Sequence, residues 1–395
     1  MTIENISYLI ADETLHDGAQ ASYVQNPNPE QAISMFKLMC QLGIDDADIG
    51  FAANPAQYNR ILEVAQYRAE INTATTISCA SRALLDDITP IINISQTAGV
   101  ELGADIFINT NPYVVAAIGW DLEQMQTMVS TAVNHARNHH IPVMMVTEST
   151  FNADHSLLET IYLEALNCGA SRVCLCDTEG GCTPDDIVNG IFRIQRLLKT
   201  YGFENTPIDV HCHDDLGFGV ANAWQALLAG ANRVHATMLQ TGERKGNADL
   251  TSLLLMIRKK GIDNGHYNLT VLPPYARLTS EAFGIPIPRA YPGIDPDSRV
   301  IVSGVHASAL DYGLEHLCPE EAGQIYLPVN YTGWLKIKPS HHVIVGPSAG
   351  KHNVLAWGKL NGHPNISETV AQEIIKTAQT RALTDKEIHQ MLEQF

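Results

Sequence analysis

Short β-rich apolar runs recur along the chain, each followed by a stretch with helical spacing. The runs are 8–15, 46–51, 73–80, 105–111, 142–149, 172–177, 208–214 and 233–239. Between them, apolar residues return every three or four positions. The segment Pro29–Leu42 opens after Asn28, carries Ile33, Phe36 and Cys40 on one stripe and stops at Gly43, which are start and stop signals of a helix. Segments 122–139 and 154–168 read the same way. Eight strand–helix repeats in roughly 255 residues predict a (β/α)8 TIM barrel in the α/β class. A doubly wound open sheet is the rival, but it usually has fewer strands and a glycine-rich first turn. Here the first strand runs into Asp12-Glu13-Thr14-Leu15-His16-Asp17-Gly18, which is no phosphate cradle. Beyond about residue 270 the pattern changes. Segment 271–325 is rich in Pro and Gly and reads as a linker with short helices, and 326–395 as a small helical C-terminal subdomain. The barrel is thus expected over 1–270, with no room for a further regulatory domain.

Composition narrows the function classes. The chain has 395 residues, 45% of them hydrophobic, enough for a proper core. A formal charge of −18 argues against a nucleic-acid partner, which would need a basic face. No long apolar run and no signal-peptide pattern occurs, so no membrane association and a cytoplasmic location are expected. The eight cysteines show no C-x-x-C spacing and read as reduced, structural thiols.

The candidate chemistry gathers at the C-terminal ends of the strands, where a barrel carries its active site. Those ends hold residues 12–17, Asp48, Asn109, Glu148, Asp177, Thr178, His211, His213 and Thr237. In the seventh run side chains alternate between faces, so His211 and His213 point the same way. Two imidazoles one pleat apart suit a shared divalent metal; a hydrogen-bonded histidine pair at a strand end is the plainer alternative.

Three stretches resemble the signatures of the DRE-TIM metallolyase family. They are Leu15-His16-Asp17-Gly18-Ala19-Gln20, His211-Cys212-His213-Asp214-Asp215-Leu216-Gly217 and Thr241-Gly242-Glu243-Arg244-Lys245-Gly246-Asn247. The family includes 2-isopropylmalate, homocitrate and citramalate synthases and HMG-CoA lyase. The third stretch is typical of its Claisen-condensing branch. Ser303-Gly304-Val305-His306 and Tyr326-Leu327-Pro328-Val329-Asn330 resemble further synthase segments. The resemblance implies a metal-dependent condensation of acetyl-CoA with a 2-oxo acid, giving a 2-alkylmalate-type product and free CoA. It implies Asp17, His211, His213 and Asn247 as the metal set, for Mg²⁺, Mn²⁺ or Zn²⁺. It implies His306, assisted by Tyr326 or Glu148, as the base, Thr178 at the acceptor carboxylate, and a homodimer.

Three departures bear on the substrate. The family arginine of the first signature is His16 here, which offers one hydrogen bond instead of a fork. The arginine that pairs with a distal carboxylate in homocitrate synthases is Asn152, so a dicarboxylic acceptor is disfavoured. Asp48 stands where many relatives have Glu, which resizes the pocket. An unusual acceptor is expected, neutral or aromatic in its side chain, with Phe51 and Phe151 as lining candidates. A lyase or aldolase running the reverse cleavage on the same barrel is the alternative, and a non-catalytic regulator a third reading. The retained Asp17, His211, His213, Asn247 and Glu148 argue against the third.

Overall fold

The computed structural model describes residues 8–263, 265–338 and 341–395. It divides into two compact units that meet between Pro286 and Ile287. In the first, eight parallel strands close into a barrel in sequence order. They are β1 (Leu9–Asp12), β2 (Asp46–Phe51), β3 (Thr76–Arg82), β4 (Gly103–Asn109), β5 (Val143–Glu148), β6 (Arg172–Asp177), β7 (Ile208–Cys212) and β8 (Arg233–Ala236). The barrel helices are α1 (Pro29–Leu42), α2 (Pro55–Glu70), α3 (Leu85–Ala98), α4 (Pro112–Ile118), α5 (Leu122–Asn138), α6 (His155–Asn167), α7 (Pro184–Thr200), α8 (Gly219–Ala229), α9 (Leu250–Lys259) and α10 (Leu272–Phe283). Closure is set by β1 and β8, which pair Leu9 with Arg233 and Ala11 with His235. That register brings the first signature stretch beside the last.

Local sequence explains the individual elements. Asn28 and Gln31 form a reciprocal capping box at the start of α1, Pro29 takes its first position, and Gly43 ends it at φ 94°. The buried stripe of α1 is Ala32, Met35, Phe36, Met39 and Leu42. It is centred on Phe36 as the spacing predicts, but Ile33 and Cys40 lie at its half-buried margin. Ile10, Ile49, Ile106 and Val210 are among the barrel residues wholly removed from solvent. No helix among the described residues is long and apolar enough to cross a membrane. All eight cysteines are free thiols.

The boundary differs from the expected 1–270, 271–325 and 326–395 divisions. Segment 272–283 is no linker: as α10 it packs on the barrel, where the Tyr275 hydroxyl donates to Asp12 Oδ2 at 2.8 Å and Phe283 is fully buried. The Pro- and Gly-rich composition marks only the loops that follow. The second unit joins both remaining parts in one core. It comprises β9 (Val300–Ile301), α11 (Gly304–His316), α12 (Pro319–Ala322), α13 (Tyr331–Leu335), β10 (His342–Val343), α14 (Lys351–Leu360), α15 (Glu368–Thr377) and α16 (Asp385–Leu392). Leu310 of α11 and Ile374 of α15 share its buried cluster with Trp357, whose Nε1 donates to Asp385 at 2.7 Å.

Candidate active site

A cavity of about 180 Å³ opens within the barrel unit, lined by strand ends and the loops after them. Its walls differ in kind. Glu13, His16, Asp17, Asp48, His211 and His235 form a polar side supplied by β1, β2, β7, β8 and adjoining loops. Ala80, Phe107, Met144, Val146, Cys174 and Cys176 form a mainly apolar side from β3 to β6, to which those strands also add Asp105 and Glu148.

On the polar side, Asp17, His211 and His213 each offer a ligand atom, all within 4.8 Å of one another. The two rings stand edge to face, centroids 4.9 Å apart. Asn247 joins them: its amide donates to Asp17 Oδ2, and its backbone bridges His213. Two glycines make this convergence possible. Gly246 sits at φ 95°, and a Cβ there would lie 1.8 Å from the Gln240 carbonyl oxygen. A Cβ on Gly18 would lie 2.7 Å from Thr241 Oγ1, so the first and last loops touch only because Gly18 has none.

The donor set fits a divalent cation. Asn247 Oδ1 is buried without a hydrogen-bond partner, a cost of about 1–3 kcal/mol that a bound ion and its water shell would relieve, and His213 Nε2 faces Asp17 Oδ2 across 3.9 Å. Burial and the neighbouring His211 push the His213 imidazole down to about 4, so it stays neutral, as ligation requires. Burial alone would lower His211 too, but the Glu13 carboxylate outweighs it and raises it.

His16 Nδ1 lies 2.7 Å from Asp48 Oδ2, and its Nε2 lies 3.0 Å from Gln20 Nε2. Burial opposes a charge on His16, but the Asp48 carboxylate and its hydrogen bond prevail and push it up to about 9. The Asp48 carboxylate thus favours a charged His16, in the place where the family arginine stands. The shorter Asp48 is held by its own loop, accepting from the Gly50 amide at 3.0 Å just where the β2–β3 register shifts. Glu148, raised mainly by burial, accepts from Asn109 Nδ2 at 2.9 Å. Thr178 lines the cavity, and its Oγ1 accepts from the Ser149 amide at 2.9 Å.

Not every expected residue arrives here. Asn152 does not line this cavity; it donates to Glu179 at 3.2 Å and borders a second cavity with Phe151 and Arg193. Phe151 is turned away because it packs on Gly190 of α7, where a Cβ would stand 2.4 Å from its ring. Phe51 packs at a tilt against Phe107, ring centroids 6.4 Å apart, and Phe107 takes the lining position instead. His306 and Tyr326 lie in the second unit, stacked on each other at 4.0 Å.

Glu13, one of the strand-end polar residues, gains a role here, and His235, absent from the spacing argument, joins it. The Glu13 carboxylate bridges His211 Nδ1 and His235 Nδ1, 2.6 Å from each. The signal was present as period-two polarity inside strands that should be apolar: Asp209, His211 and His213 on one run, Arg233 and His235 on the next.

Comparison with known proteins agrees with this geometry. The HMGL-like family matches residues 8–278. A homocitrate synthase (AksA) of Methanopyrus kandleri is 27% identical over 383 residues, covering 96% of this chain and 88% of its own. A 2-isopropylmalate synthase of Sulfolobus acidocaldarius is 28% identical over 322 residues, covering 80% and 79%. The HMG-CoA lyase of Bacillus subtilis shares the fold at a TM-score of 0.59 and 17% identity, over 72% of this chain and 96% of that one. The chain belongs to the HMGL-like family and is an enzyme, a divergent member of its Claisen-condensing branch.

Proposed function

We propose that this enzyme condenses acetyl-CoA with a 2-oxo acid whose side chain is apolar, releasing CoA and a 2-alkylmalate-type acid. The observation that carries the reading is the two-sided cavity: a carboxylate–imidazole corner faces a wall of Ala80, Phe107, Val146 and Cys176. Among the described residues no Lys or Arg lines it, so the distal carboxylate of a dicarboxylic acceptor would find no guanidinium or ammonium there.

Asp17, His211 and His213 would hold a divalent cation, with Asn247 fixing Asp17. When bound, that cation supplies Lewis acidity toward the ketone and carboxylate oxygens of the acceptor. Thr178 is placed to hydrogen-bond the acceptor carboxylate. A base removes a proton from the acetyl methyl group, and the resulting carbon nucleophile attacks the ketone carbon. Glu148 is the buried carboxylate within the cavity suited to that step, and His306 with Tyr326 is the corresponding pair in the second unit. The ketone oxygen gains negative charge as the C–C bond forms. The His16 imidazolium, held by Asp48, offers it a charged donor and a proton. Water then cleaves the thioester, which frees CoA. A homodimer is part of this reading.

Purified protein with Mg²⁺ or Mn²⁺, acetyl-CoA and a panel of 2-oxo acids tests it by free-thiol release. Thiol release is expected with 2-oxoisovalerate or phenylpyruvate and none above background with 2-oxoglutarate. Cleavage of a 2-hydroxy acid without thiol release from any acceptor would establish the lyase alternative instead.

A further inference from the structure

Behind His211 the barrel interior holds a continuous line of buried charged groups. Glu13 Oε2 lies 2.6 Å from His211 Nδ1, and Glu13 Oε1 lies 2.6 Å from His235 Nδ1. The far side of the His235 ring is also taken: Nε2 lies 3.1 Å from Asp209 Oδ2. Asp209, wholly buried, is gripped by Arg233 Nε at 2.5 Å and by Arg172.

The chemistry of these contacts fixes the protons. An ionised carboxylate only accepts hydrogen bonds, so each ring nitrogen facing one carries a proton. His235 is then protonated on both nitrogens and clamped at both ends. His211 carries its proton on Nδ1, which leaves Nε2 as its ligating nitrogen. His213 has no such backing, since its buried Nδ1 has no partner. The two histidines of the corner are therefore unequal: one ring is locked from behind and the other is not.

We propose that Glu13 is a positioning residue that sets the tautomer and ring plane of His211 for metal ligation, with His235 and Asp209 as its anchor. A carboxylate behind a ligating imidazole makes it a better donor and holds its plane, and losing one typically weakens metal binding about 10–100-fold. Glu13 can do this because it is itself held by a second bond. The inference rests on the metal reading above. Glu13, His211 and His235 also lie close enough to form a ligand set of their own. The two short contacts argue against that, because the nitrogens facing Glu13 are already filled by protons.

Mn²⁺ titration of the full chain, followed by electron paramagnetic resonance, tests the proposal on wild type, His213→Ala, Glu13→Gln and His235→Gln. Wild type binds, His213→Ala loses binding, Glu13→Gln weakens it about 10–100-fold and His235→Gln weakens it less. In the Mg²⁺-loaded, ¹⁵N-histidine protein, the His211 Nδ1–H signal, assigned by its loss in His211→Gln, shifts or vanishes in Glu13→Gln. If Glu13→Gln does not fold, a shifted His211 signal in His235→Gln carries the same information. No Mn²⁺ binding by wild type overturns the metal reading and this inference with it. Binding lost in His213→Ala but unchanged in Glu13→Gln and His235→Gln, with the His211 signal unmoved, overturns the positioning role alone. Loss in Glu13→Gln as complete as in His213→Ala would make Glu13 a ligand and overturn it as well.

Discussion

The two sides of the barrel cavity are built on opposite principles. Along β1, β2, β7 and β8 the interior is held by directional bonds: Arg233 reaches both Asp46 and Asp209, and Glu13 bridges two imidazoles. Along β4, β5 and β6 more of it is held by contact, with Met144, Val146, Cys174 and Cys176 packed together and Phe107 beside them in the cavity wall. Directional bonds fix atoms in place, which suits a site that must present ligand lone pairs. Contact packing tolerates changes of shape at small cost, which suits a surface that selects a substrate by size. On the proposed reading, one fold thus separates metal binding from acceptor selection.

The largest break in that contrast comes from the polar corner. Asp17→Ala or His211→Ala should empty the site of metal and lower turnover by about three orders of magnitude or more, several kcal/mol of transition-state stabilisation. Elemental analysis and thiol release measure both, and full metal content in either variant would refute the assignment. Next is the support beneath it. Arg233→Met leaves Asp46 and Asp209 without their shared cation, and a loss of about 3–5 kcal/mol in urea unfolding is expected. A loss under about 1 kcal/mol would show that the network contributes little to holding the barrel.

The apolar side should respond in selectivity instead of survival. Val146→Phe narrows the cavity and should lower kcat/KM for bulky acceptors about 10–200-fold relative to pyruvate. An unchanged ratio would place the acceptor side chain elsewhere. A further effect is a pH slope. Asp105 on β4 is pushed up to about 8 by burial and by the charges of Asp48 and Asp46. The folded state thus keeps a proton that the unfolded chain releases above about pH 4. That contribution is fully present below about pH 4, and stability declines as pH rises toward about 8. Asp105→Asn removes the titration, so its urea midpoint should fall less than wild type between about pH 5 and about pH 8. Equal slopes would contradict the assignment.

Much of this was legible in the chain because it is local. β2 and β6 begin and end where the apolar runs do, and α1 begins and ends at its capping residues. His211 and His213 share a side because the chain stays extended past the end of β7 into the bridge of His213 with Asn247. What stayed hidden depends on closure. Glu13 meets His235 only because β1 pairs with β8, 222 positions along the chain. The direction of Asn152 depends on Glu179 and on Gly190 admitting Phe151, and neither leaves a mark in the spacing. The division at Pro286 was hidden as well, since proline and glycine mark where chain direction changes and not which core a segment joins.

The contact between Asp17 and Asn247 spans 230 positions. Both loops are held together by the pairing of the first strand with the last. Contacts so distant form late, after the entropy of ordering the intervening chain has been overcome. During synthesis a growing chain therefore carries its imidazoles and Asp17 before it can arrange them, and on the proposed metal reading capture of a cation would report that the barrel has closed.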